Sequence, residues 1–68
     1  MNSVLLKSVM TLHRDTNKEL AKFLGLSEQS VCNKINETGT EFKLGEIRKI
    51  KDRYQLSPEA VDTIFFDH

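Results

Sequence analysis

Helix-starting and helix-stopping residues interrupt every apolar run of this sequence before it grows long. Thr16-Asn17-Lys18-Glu19 is a capping-box pattern, in which the Thr16 hydroxyl accepts from the Glu19 N–H and the Glu19 side chain reaches back to the cap. Gly25 ends the helix so opened, because glycine enters the left-handed region at little cost. Ser27 caps the next helix, and Ser57-Pro58-Glu59 opens the last, with proline at the first helical position and an acid in the first turn. Between these signals the apolar residues fall at helical spacing. Leu5, Val9 and Leu12, joined by Leu6 and Met10, mark a helix over residues 4–12, which the basic turn at His13-Arg14-Asp15 ends. Leu20, Ala21 and Leu24 mark the second, and Val31 and Ile35 the third, over 28–36. Leu44, Ile47, Ile50 or Lys51, and Tyr54 mark a fourth over 44–54, with Lys43 a poor cap. Val61, Ile64 and Phe65 give the fifth, over 58–66, its apolar face. Residues 37–42 form a loop that returns Phe42 to the core, and no segment alternates as a strand. The expected fold is all-α, five short helices in a single domain spanning residues 1–68.

With 68 residues the chain supports one small core and buries only about 60% of its unfolded surface. A composition 38% hydrophobic and 29% charged fits a globular domain rather than a disordered one. No apolar run approaches the ~18–20 residues of a membrane span, and the first residues lack the basic-then-apolar order of a secretory signal. The lone Cys32 has no internal disulfide partner, and His13 and His68 lack ligand spacing, so neither a disulfide scaffold nor a metal module is expected. No cofactor is expected either. No nucleophile sits beside a base and no glycine loop is placed to cradle phosphate, so the sequence does not read as an enzyme. Ten Lys and Arg balance ten Asp and Glu. That neutrality weighs against a nucleic-acid partner, which normally demands a basic footprint.

Residues 16–36 carry the functional signal. Small Ala21 lets two helices cross closely, Gly25 permits the tight turn, Leu26 plugs the crossing, and Val31 anchors the second helix with its opposite face free. With Leu44-Gly45-Glu46-Ile47, Leu56-Ser57-Pro58 and Ile64-Phe65-Phe66 following, the chain resembles the lambda-repressor/Cro-type helix-turn-helix family of small phage and bacterial regulators. The resemblance covers roughly residues 4–66. It implies a cytoplasmic transcriptional regulator, working in a bacterium or a phage-infected host, that binds double-stranded operator DNA as a homodimer. Lys43 and the neutral overall charge depart from the family's pattern.

The residues support that docking separately. With Val31 and Ile35 inward, helix 28–36 presents Glu28, Gln29, Cys32, Asn33 and Asn36. Gln29 can pair with adenine N6 and N7, Asn33 can do the same or reach a base edge through water, and Glu28 can accept from a cytosine amino group. Asn17, Lys18 and Ser27 are expected on phosphates at one side, and Lys34, Thr38, Thr40 and Lys43 at the other. Over residues 1–43, Lys7, Arg14, Lys18, Lys22, Lys34 and Lys43 exceed Asp15, Glu19, Glu28, Glu37 and Glu41 by one charge, which predicts modest, salt-sensitive affinity. Cys32 reads as a small groove-facing or half-buried side chain, ahead of a redox sensor.

Phe65 and Phe66 are adjacent, so they point about 100° apart, and one of them is expected at a protein interface. Phe23 is a further interface candidate, in competition with packing against the first helix. The alternative reading is an antirepressor or modulator that uses the same scaffold to bind another regulator protein. Zero net charge, Glu28 at the head of the third helix and the aromatics Phe23 and Phe66 favour it.

Overall fold

A computed structural model describes residues 1–66, and within them every regular element is helical. In chain order these are α1 (Ser3–Leu12), α2 (Asn17–Leu24), α3 (Glu28–Ile35), α4 (Leu44–Tyr54) and α5 (Pro58–Val61), which runs on as a π-helical turn over Asp62–Phe66. The all-α class and the five short helices follow the sequence expectation.

Local hydrogen bonds fix the helix starts. The side chains of Asn2, Thr16, Ser27 and Ser57 accept from the N–H groups of Leu5, Glu19, Ser30 and Ala60 at 3.0, 3.2, 3.1 and 3.1 Å. Lysine has no acceptor to offer at the start of α4. The Glu46 carboxylate reaches back instead and accepts from the Lys43 N–H at 2.9 Å. Gly25 ends α2 at φ 73°, and the Leu26 N–H then reaches the Ala21 carbonyl at 2.9 Å, which makes the turn into α3 tight.

The core takes Leu6 and Met10 from α1, Leu20, Ala21 and Leu24 from α2, Val31 and Ile35 from α3, Phe42 from the loop, Ile47, Ile50 and Tyr54 from α4, and Ile64. Ile50, not Lys51, is the inward residue of α4. Helices α2 and α3 pack together most extensively. Two expectations are corrected. Leu12 does not share the inward face of α1: it and Val4 are 81% and 76% exposed, while Leu5 and Val9 pack at the core's edge. The turn that buries Leu6 and Met10 points Leu12, about 200° beyond Met10, outward. The last helix is α-helical only to Val61. From Asp62 the coil widens, seating Ile64 in the core, where its carbonyl accepts from the Asn2 N–H at 2.6 Å.

Candidate nucleic-acid interface

Burial of Val31, Lys34 and Ile35 fixes the rotation of α3, for these positions share one side of the helix. At about 100° per residue, Gln29, Asn33 and Asn36 then lie nearly opposite Val31, with Cys32 on the flank. Gln29, Asn36 and Glu28 are exposed, and Asn33 and Cys32 half-buried. Glu28, Gln29 and Cys32 face Thr16, Asn17 and Lys18 at the start of α2 across an open concavity of ≈ 600 Å³. The tight turn brings the head of α2 beside the head of α3, so the sequence candidates from both helices do meet.

The polar side chains of α3 bind one another. The Gln29 Nε2 donates to Asn33 Oδ1 at 2.9 Å, and the Asn36 Nδ2 to the Cys32 Sγ at 3.4 Å. The Ser27 hydroxyl donates to Ser30 Oγ at 3.0 Å while it caps the helix. Beyond α3, the Thr38 hydroxyl donates to the Asn33 carbonyl at 3.2 Å. Thr40 stands in the exposed loop, and Lys43 is exposed at the head of α4.

Lys34 is a correction. It was expected on a phosphate, yet it is 7% exposed, its Nζ 3.3 Å from Glu46 Oε1 and donating to the Glu41 carbonyl at 3.2 Å. Its position beside Ile35 on the inward side of α3 turns the ammonium toward the head of α4. Burial pushes the Glu46 carboxyl up, but the Lys43 N–H and the Lys34 ammonium outweigh that and leave it below its ordinary range. The Lys34 ammonium thus ties α3, the 37–42 loop and α4 together.

The aromatic candidates divide. Phe66 is 46% exposed. Phe65 is half-buried, edge-on to Phe42 at 6.0 Å between ring centroids, so Phe66 is the more outward of the adjacent pair. Phe23 is 42% exposed, with the Arg53 guanidinium 4.7 Å from its ring centroid in a cation–π contact. Leu44 is a further correction: spacing put it with Ile47 and Tyr54 on the apolar face of α4, yet at the head of the helix it is 58% exposed and joins Phe66 in an apolar patch. His13 stands at the end of α1, tilted against Tyr54 at 5.1 Å, and His68 lies outside the described residues.

Sequence reasoning also missed a network. The Arg53 Nε and Nη2 donate to Asp15 Oδ2 and Oδ1 at 2.8 and 3.1 Å, and the Tyr54 hydroxyl donates to the same carboxylate. Arg53 holds the Asp15 carboxyl below its ordinary range, against the burial that raises it, and Tyr54 adds to the lowering. Burial and the Asp15 charge push the Tyr54 phenol up. The bond joins the α1–α2 turn to the end of α4. Partners this far apart in the chain leave no periodic signal; a charge pair predicted across such a gap would need the fold first.

Among the described residues, no group of three or more His, Cys, Asp or Glu is placed to hold a metal, and no helix is long and apolar enough to cross a membrane. Comparison with protein-family models, curated proteins and solved structures finds no match in any of the three. What fold and site define together is a class: a small all-α chain whose third helix is braced by aliphatic side chains and turns an amide-bearing face outward.

Proposed function

We propose that this protein is a helix-turn-helix transcriptional regulator of the lambda-repressor/Cro type that reads operator DNA in the major groove with α3. The observation that carries the reading is the placement of Gln29, Asn33 and Asn36 opposite the buried Val31 and Ile35, beside the exposed heads of α2 and α3. Outward amides on a short helix suit base edges, since each supplies a donor and an acceptor from one planar group. Ser27, Asn17, Lys18, Thr38 and Lys43 serve phosphates around that face. The protein works as a homodimer in the cytoplasm of a bacterium or phage-infected host, with Phe66 at the protein contact. It regulates by occupying promoter sequence and catalyses nothing.

Duplex selection followed by titration tests this. Gln29→Ala weakens binding to the selected sequence by about 1–3 kcal/mol and leaves binding to random duplex nearly unchanged. Equal losses on both would remove Gln29 from base reading.

A second reading has its own support. Lys34 is neutralised inside the fold, Glu28, Glu37 and Glu41 are exposed around α3, and Leu44 and Phe66 form an apolar patch. These favour an antirepressor that keeps the scaffold and binds a regulator protein. Titration of random duplex at low salt separates the two: a DNA regulator keeps micromolar-range affinity that falls as salt rises, and a protein-binding module shows almost none.

A further inference from the structure

The bond between Gln29 and Asn33 constrains what each amide has left to offer. A glutamine amide carries two N–H donors and one carbonyl acceptor, and when free it can turn over to present either two donors or a donor beside an acceptor. Here one Nε2 hydrogen is committed to Asn33 Oδ1 at 2.9 Å. What remains on Gln29 is one N–H next to one carbonyl oxygen. Asn33 has committed an acceptor lone pair, so both hydrogens of its Nδ2 stay available. Asn33 is half-buried, one helical turn behind Gln29, and its main-chain carbonyl accepts from the Thr38 hydroxyl at 3.2 Å, which holds the backbone at that turn. The brace is therefore the more buried of the two, since Gln29 is exposed.

Adenine presents an N6 donor beside the N7 acceptor in the major groove, whereas guanine presents two acceptors, O6 and N7. The donor–acceptor edge left on Gln29 matches adenine and leaves guanine O6 facing a carbonyl oxygen. The two free hydrogens of Asn33 match an acceptor edge on a neighbouring base, thymine O4 or guanine O6 and N7. On the proposed reading of α3 as a DNA-contacting helix, we infer that Gln29 and Asn33 act as one unit, in which Asn33 is a positioning residue that orients Gln29 to select adenine over guanine while its own Nδ2 reads an acceptor-bearing base alongside.

The test is selection from randomised duplexes with the wild-type chain, followed by affinities for single-base variants of the selected site. Gln29→Ala identifies the position that Gln29 reads, as the one where preference is lost. At that position the wild type prefers adenine over guanine by roughly 5- to 150-fold, the range of a good bidentate pair. Asn33→Ala frees the Gln29 amide, and the adenine-over-guanine ratio there falls at least five-fold, although Asn33 itself never touches that base. Asn33→Asp keeps an acceptor for Gln29 and loses the Nδ2 donors. It retains the adenine preference at the Gln29 position and loses preference at the adjoining base, even as its added charge lowers affinity for all duplexes alike. Circular dichroism and Tm of both variants stay close to wild type, separating loss of orientation from loss of fold. An unchanged adenine-over-guanine ratio in Asn33→Ala overturns the inference and leaves the DNA reading standing. So does selection of guanine by the wild type, which would mean that Gln29 offers two donors. Absence of any salt-sensitive duplex binding by the wild type overturns both.

Discussion

Asp15 gathers both Arg53 nitrogens and the Tyr54 hydroxyl onto one nearly buried carboxylate, so its charge is worth more to the folded chain than to the unfolded one. Its folded pKa lies below the unfolded value, as does that of Glu46. The stability they confer is complete above the ordinary carboxylate range near pH 4 and is lost as pH falls through the folded values. Asp15→Asn is expected to cost about 1.5–3 kcal/mol at neutral pH, the worth of hydrogen bonds to a charged group. Thermal unfolding from pH 7 to pH 2 checks it: wild type and variant converge at the acid end, and a constant gap across the whole range rules the account out. Residues like this were the least legible in the sequence. Gln29 and Asn33 were readable as outward because Val31 and Ile35 set the phase of their own helix. Lys34 was not, because its burial depends on where α4 places Glu46.

Helix boundaries were far more legible, because a cap is decided within four residues. Ser27, Gly25 and Ser57 stand where side-chain chemistry put them, and Glu46 stabilises the head of α4 that Lys43 cannot cap. The rotation of α1 was harder, since apolar residues on most of its circumference allow more than one inward stripe. The π-helical turn was harder still, for it arises where Ile64 docks beside the start of α1 rather than from any local propensity. Ser27 offers a prediction at this scale. Ser27→Ala removes the cap acceptor and costs about 1 kcal/mol, near 4–8 °C in Tm, whereas Ser27→Gly costs only a few tenths. Ser27→Asp restores the acceptor and the Tm, yet sets a carboxylate where a phosphate is proposed. Duplex binding should therefore fall in a variant as stable as wild type; undiminished binding would remove Ser27 from the phosphate contacts.

The described residues span 28 × 25 × 21 Å, shorter in every direction than the ~34 Å turn of B-DNA that separates half-sites. On the proposed reading, one protomer would cover a single half-site, and a palindromic operator would require two. Its charges cancel overall, and the cations left beside α3 are chiefly Lys18 and Lys43 once Lys34 is counted as internal. Counterion release then predicts a shallow dependence of log affinity on log salt, a slope of about −2 to −4 per protomer. Anisotropy titrations of labelled duplex between 50 and 200 mM salt, about the range in which such slopes are read, measure it. A slope steeper than about −6 would demand more phosphate contacts than this surface supplies.

The bond from the Asn2 N–H to the Ile64 carbonyl makes the path of the polypeptide almost a closed ring. A ring can be cut elsewhere. Joining its two sides with a short linker and reopening it in the exposed turn at Gly39 gives a circular permutant that keeps the same packed helices, with α4 now leading and α3 trailing. Fusion partners could then be hung from the end of α3 itself, bringing a reporter or a second module next to whatever that helix grips.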